Sequence, residues 1–152
     1  RLLLESASPG LRSKAARAAR RHADRDRAVQ IVTDFEAFLH DWYRMPLFAS
    51  LRRHGLVDAM VRRRQANRPD ELAKSLHGMG TGAQSSCWER IPTQRIFTLA
   101  LTGALDDKYV RITSQMAALH PRLRTVIVPE AGHNVHAERP DAFIHHLRRF
   151  VD

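Results

Sequence analysis

One cysteine, Cys87, stands in 152 residues. That excludes an internal disulfide and fits a reducing compartment, so a cytoplasmic setting is the expectation. No apolar run approaches the roughly 20 residues a bilayer-spanning helix needs, and no membrane span is expected. Internal repeats and low-complexity segments are absent as well. The glycine-rich stretch Gly78-Met-Gly-Thr-Gly82 lacks a following Gly-Lys-Ser/Thr, so it is read as a hinge or loop and not as a phosphate-binding loop. Gly-x-Ser-x-Gly occurs nowhere. Ser85 and Ser86 follow Gly-Ala-Gln in a loop without the strand-to-helix elbow that exposes a nucleophilic serine, so no nucleophile is expected in this chain. The chain opens at Arg1 without a methionine and runs straight into Leu2-Leu3-Leu4. A buried strand there would lie in a parallel sheet without its neighbours, so a missing N-terminal part is expected.

Acidic residues are few. Sixteen Asp and Glu face 25 basic residues, all but Lys14, Lys74 and Lys108 arginine, for a net charge of +9. Such a balance points to an anionic partner, although genome base composition alone can produce an arginine skew. The arginines concentrate in Arg12–Arg68, and arginine is the better residue for bidentate grip on a carboxylate. A basic helical module binding nucleic acid is one reading of that region. Against it, Asp34–Tyr43 carries three acids and no nucleic-acid motif is visible.

The elements follow in order. Leu2–Glu5 is a short apolar strand or the tail of one, turned by Ser6-Ala-Ser-Pro-Gly10. Helices are expected over Ser13–Val32, Asp34–Tyr43, Leu56–Gln65 and from Pro69 to about His77, with a short piece beginning at Leu47. No convincing strand lies between Ser13 and Gly82. Ile96–Leu101 and Thr125–Val128 read as buried strands, Asp107–Leu119 and Pro140–Phe150 as their covering helices. Ala142, Phe143, Leu147 and Phe150 would face inward. The order strand, helical insertion, strand, helix, strand, helix means a parallel sheet with covering helices, an α/β fold. The expected division is 1–11 core strand and turn, 12–82 helical lid or cap, and 83–152 core.

Two stretches carry the chemistry. Leu99-Ala-Leu-Thr-Gly-Ala-Leu-Asp-Asp107 is an apolar run ending in glycine and an acid. Val126-Ile-Val-Pro-Glu-Ala-Gly-His133 is another, delivering one histidine on a loop after a strand. Strand–acid followed by strand–histidine is the back half of the α/β-hydrolase order Ser…Asp…His. His133 would be the general base. Asp106 would be the acid, or Asp107 in its place, unless Asp107 caps the following helix. The acid holds the imidazole tautomer and stabilises the imidazolium while the histidine takes a proton from a nucleophile. His136 lies three residues after His133, but no Cys or acid cluster completes a metal set, so no metal is expected. His145 and His146 on the last helix read as solvent-facing or packing residues.

With acid, histidine and insertion placed, the chain resembles the C-terminal portion of an α/β-hydrolase-fold protein. More narrowly it is similar to the 2-succinyl-6-hydroxy-2,4-cyclohexadiene-1-carboxylate synthases of menaquinone biosynthesis. The resemblance rests on Glu5-Ser-Ala-Ser-Pro-Gly-Leu11, Arg17-x-x-Arg20-x-x-x-Asp24, Asp41-Trp-Tyr-Arg-Met-Pro-Leu-Phe-Ala-Ser50, Gly80-Thr-Gly-Ala-Gln84, Gly103-Ala-Leu-Asp106-Asp-Lys108 and Ala131-Gly-His-Asn-Val-His136. It implies a lyase that eliminates pyruvate from a cyclohexene dicarboxylate bearing an enolpyruvyl group, without a cofactor. In that family a serine activated by histidine removes a proton and does not form an acyl-enzyme. The resemblance makes Asp106 and His133 the acid and base. It makes Arg20 and Arg64 lid-side arginines holding carboxylates of a small polycarboxylate substrate, and Trp42 an aromatic wall. The family's oxyanion-hole segment and serine elbow would lie before Arg1, in the missing N-terminal half, so this chain alone is expected to be inactive. An esterase or C–C hydrolase of the same fold is the competing reading; it would keep Asp106 and His133 without needing lid arginines.

Overall fold

The computed structural model describes residues 1–152. Its apolar runs form three parallel strands, β1 (Leu2–Glu5), β2 (Thr98–Gly103) and β3 (Leu123–Val128), in the order β1-β2-β3. The register sets Glu5 beside Leu101 and Gly103 beside Val128, so the carboxyl ends of the strands come to one edge. All six residues of β2 are buried, as a central parallel strand covered on both faces requires. The strand begins two residues later than the apolar pattern suggests. Ile96 and Phe97 are half exposed, and pairing starts at Thr98, whose hydroxyl donates to the Ile96 carbonyl at 3.0 Å.

The helices fall in the order α1 (Lys14–Thr33), α2 (Phe35–Arg44), α3 (Ala49–Arg53), α4 (Val57–Gln65), α5 (Pro69–Met79), α6 (Asp107–Leu119), α7 (Val135–Glu138) and α8 (Pro140–Val151). Short 3-10 turns occupy Pro46–Phe48 and Trp88–Thr93. The chain divides into two compact units. One comprises Arg1–Ser8, Met45–Leu56 and Glu89–Asp152; the other comprises Pro9–Arg44 and Val57–Trp88. The long helical stretch is therefore split: residues 45–56, with α3, group with the strands.

In the strand-bearing unit, Leu101, Val128, Ala131 and Val135 form a sealed cluster, with Val126, Ala142 and Phe143 packed on it. Each such large side chain contributes about 1.5–3 kcal/mol through burial. Helix α6 is joined to β2 by a buried pair of hydroxyls, Thr102 Oγ1 and Thr113 Oγ1, 2.9 Å apart. On this helix Met116 is buried, whereas Leu119 at its end is exposed. Helix α8 has no fully buried residue, and Ala142 and Phe143 supply its contact with the cluster.

His146, on α8, illustrates how a partly covered histidine responds to charge. Burial first, then His145 and Arg149 beside it, lower its pKa below the ordinary 6.5. A folded pKa below the unfolded value means that the unfolded state takes up the proton first as pH falls. The stability from keeping His146 neutral is present above pH 6.5 and is lost as pH drops through the lowered value. We expect an NMR titration to place the His146 midpoint below 6.5, and His146→Gln to flatten the acid limb of stability against pH. A midpoint at or above 6.5 would contradict the assignment.

In the other unit, α1 begins at Ser13, whose hydroxyl accepts from the Ala16 N–H at 3.0 Å. Asp34 ends α1, and its carboxylate caps α2 by accepting from the Ala37 N–H. Helix α1 buries Asp24, Ala28 and Ile31, a four-then-three spacing that lines one face. Helix α2 buries Phe38, Leu39 and Tyr43. The glycine stretch near Gly80 is tied to α1, since Arg21 Nη1 donates to the Gly82 carbonyl at 2.9 Å.

Candidate active site

The site forms where two loops leave the carboxyl edge of the sheet. Beyond β2, the Ala104 and Leu105 N–H groups donate to the carbonyls of Val128 and Ala131, at 2.9 and 2.8 Å. These bonds lace the acid-bearing loop to the histidine-bearing loop. Gly103 lets them meet: a Cβ there would stand 2.2 Å from the Gly132 carbonyl oxygen and 2.3 Å from that of Ala131.

Across this junction His133 Nδ1 and Asp106 Oδ2 are 2.7 Å apart. The Asp106 side chain is 5% exposed and that of His133 is 21%. A carboxylate only accepts, so Nδ1 carries the proton and Nε2 is left as the basic nitrogen. Asp106 does a second job with its other oxygen, accepting from the Tyr109 N–H at 3.2 Å as the N-cap of α6. The two acids are thereby distinguished: Asp106 both caps the helix and holds the histidine, and Asp107 is an exposed first-turn residue. Of the two roles left open for Asp107, the helix cap falls instead to Asp106, because the chain turns into the helix one residue earlier.

The imidazole stands between aromatic rings. Tyr109 lies 4.6 Å away, centroid to centroid and tilted, and Phe48 lies 6.3 Å away, edge-on. Beyond it, Glu138 is wholly buried, and its carboxylate accepts the Gly132 N–H at 2.7 Å and the Asn134 N–H at 3.3 Å. His54 Nε2–H donates to the Glu130 carbonyl at 2.9 Å. At the same edge of the sheet the hydroxyl of Ser6, which follows β1, and the side-chain oxygen of Asn134 are buried without a partner. Ligands of open α/β sheets gather outside the carboxyl ends of the strands, and unpaired polar atoms there are available to one.

His120 is the contrasting buried histidine. Its Nδ1 accepts the Arg122 N–H at 3.1 Å, and its Nε2 stands 3.4 Å from Thr98 Oγ1, so both nitrogens have partners near the opposite ends of the strands. His136 binds Glu5, with its backbone N–H and its Nδ1 each 2.9 Å from Oε1.

The remaining residues singled out from sequence lie in the other unit. Arg20 Nε donates to Asp24 Oδ1 at 2.7 Å, and Arg27 Nη1 reaches the same oxygen at 2.9 Å. The Arg27 guanidinium also lies over the Trp42 ring, 5.7 Å from its centre. Asp24 therefore links Arg20, through Arg27, to the half-buried Trp42. Arg64 stands exposed on α4, in the basic last turn with Arg62 and Arg63. Tyr109, Phe48 and Glu138 were not anticipated as site residues. Tyr109 had a usable signal, lying three residues after an acid placed to cap a helix; Phe48 and Glu138 had none in local spacing.

The parallel strands with covering helices and the acid–histidine pair at their carboxyl edge define a class. The chain belongs to the α/β hydrolase family, whose model matches residues 2–146. Within that family it is similar to 2-succinyl-6-hydroxy-2,4-cyclohexadiene-1-carboxylate synthases. A Bacillus subtilis (strain 168) protein provisionally assigned that activity is 40% identical over 146 residues, covering 93% of this chain and 53% of the relative. The synthase of Serratia proteamaculans (strain 568) is 32% identical, with 99% of this chain and 57% of the relative covered. Among solved structures, MenH from S. aureus superposes with a TM-score of 0.94 at 33% identity, covering 99% of this chain and 57% of that one. An esterase from Thermogutta terrifontis matches at 0.75 with 20% identity, a likeness of fold alone. The chain spans little more than half the length of these synthase relatives. No helix is long and apolar enough to cross a membrane.

Proposed function

We propose that this chain supplies the acid–base part of a carbon–oxygen lyase. The full-length protein would eliminate pyruvate from 2-succinyl-5-enolpyruvyl-6-hydroxy-3-cyclohexene-1-carboxylate to give 2-succinyl-6-hydroxy-2,4-cyclohexadiene-1-carboxylate. The observation that carries this reading is the 2.7 Å His133–Asp106 bond in a chain 33% identical to MenH over 99% of its length. In the proposed reaction a serine outside these 152 residues gives its proton to His133 Nε2 as its oxygen removes a proton from the substrate ring. The released electron pair forms the new ring double bond and expels the enolpyruvyl oxygen. The departing enolate takes at carbon the proton held on His133 Nε2 and leaves as pyruvate, which returns His133 to its neutral form. Asp106 holds the Nδ1–H tautomer and stabilises the imidazolium while His133 is charged.

The helical residues 12–44 and 57–82, which do not group with the strands, are proposed as a lid, with Arg20, Arg64 and Trp42 meeting a substrate of several carboxylates. Arg20 grips Asp24 through Nε, which orients its guanidinium and leaves the Nη groups to face an anion.

The test is an assay of the full-length protein for pyruvate release from this substrate, run beside hydrolysis of a neutral ester. Arg20→Ala is expected to raise KM for the polycarboxylate about 10- to 100-fold, the size of a lost charge-assisted pair, and to leave ester turnover unchanged. Absence of pyruvate release, with efficient ester hydrolysis, would replace the lyase by the hydrolase reading.

A further inference from the structure

Glu138 is a buried carboxylate that the proposed chemistry does not use. Its side chain is fully excluded from solvent, a position acids occupy only when their oxygens are satisfied. Both oxygens are engaged, and on neighbouring points of one short loop: Oε2 accepts from the Gly132 N–H at 2.7 Å and Oε1 from the Asn134 N–H at 3.3 Å. The residue between those two amides is His133. We infer that Glu138 is the positioning residue of the base, a carboxylate that grips the backbone on either side of His133 and so fixes where its imidazole meets Asp106. The inference rests on the proposed role of His133.

Part of this arrangement is ordinary capping. Glu138, the fourth residue of α7, reaches back to the amide of the N-cap residue Asn134, without the reciprocal side-chain bond of a capping box, since the Asn134 side chain makes none. The bond to Gly132 serves no cap at all, because Gly132 lies outside the helix and on the other side of the histidine. Charge-assisted bonds to a carboxylate are about twice as strong as neutral ones, and the buried setting strengthens them further. The rest of the loop is held from other sides. His54 Nε2–H fixes the Glu130 carbonyl, where the backbone takes a left-handed φ of 58° without being glycine. Ser50 closes on Gly132 so tightly that a Cβ there would lie 1.9 Å from its Oγ. With Glu130, Gly132 and Asn134 all tied, His133 has a fixed backbone, and Asp106 then selects its ring orientation.

Glu138→Gln is the decisive variant because it keeps the shape and removes the match. An amide has one accepting oxygen, so one of the two N–H groups would face an NH₂ and lose its partner. In the full-length protein kcat is expected to fall about 10- to 100-fold, the cost of a base displaced by a fraction of an ångström to an ångström, with KM within about twofold. The downfield proton resonance of the His133 Nδ1–H bonded to Asp106 is expected to broaden or vanish in the variant. A kcat within threefold of the parent together with an intact resonance would overturn the assignment and leave Glu138 a helix cap alone. If the variant does not fold, hydrogen exchange in the parent protein decides. Gly132 and Asn134 amides should be strongly protected, and exchange at the rate of an open loop would overturn the proposal. A parent protein that releases no pyruvate would defeat the lyase reading. The resonance comparison would still test the grip on His133.

Discussion

Asp106→Asn is expected to lower kcat of the full-length protein about 10³-fold, within the range known for a mispaired histidine, while changing its melting temperature by no more than a few degrees. The two halves of that result have separate causes in the two oxygens of one side chain. Asn is as good an N-cap as Asp, so its Oδ1 keeps the Tyr109 N–H and α6 stays capped. Its Nδ2 then faces His133 Nδ1 and can only donate. The imidazole must present a lone pair there and carry its proton on Nε2, the tautomer that cannot accept a proton at the reacting side. Asp106→Ala would remove both functions and add about 1 kcal/mol of destabilisation from the lost cap. A D106N protein with nearly full kcat would show that the pair is structural.

The second large effect is steric. Gly103→Ala is expected to cost about 3 kcal/mol, at the upper end of overpacking, and to pull the histidine loop away from the acid. The added Cβ would meet backbone carbonyl oxygens of Ala131 and Gly132, which have no rotamer by which to yield. Relief requires the whole β3–α7 loop to move, and with it His133. Gly78→Ala is the matched comparison: it lies in α5, and a Cβ there would meet nothing within 4 Å. That change should stabilise the protein by about 0.5 kcal/mol through helix propensity. Urea unfolding of both variants measures the contrast. Equal, small effects would mean that the two loops do not meet as described.

The arginines show why composition alone is a weak guide to partners. Several in the region 12–68 hold the protein itself: Arg17 donates to the carbonyls of Leu11 and Arg12, Arg21 to Gly82, and Arg20 and Arg27 share Asp24. The Arg12 guanidinium stacks 3.7 Å from the centre of the Trp88 ring, whose indole N–H donates to the Gly10 carbonyl. A net charge of +9 thus includes many guanidiniums whose donors are already committed to the fold.

Most elements were legible in the chain because their signals are local. Ser13 and Asp34 cap helices with their own side chains, Pro69 starts α5 and Pro121 follows α6, and β-branched runs mark strands. The extent of β2 was less legible, since Ile96 and Phe97 are as apolar as the residues that pair. Helix α7 leaves no periodic signal in the sequence, because four residues have too few turns to show one.

For the site, the sequence by itself determined the order of acid and histidine and their places just after two apolar runs, because strand, turn and helix start are written over a few residues each. Only the tertiary structure decided that Asp106 and not Asp107 faces His133, that Phe48 and Tyr109 wall the ring, and that Glu138 grips the loop. Those choices depend on strand register and on contacts between residues as distant in the chain as 48 and 133. No local spacing can encode which of two adjacent acids a folded sheet will turn toward a histidine 27 residues away.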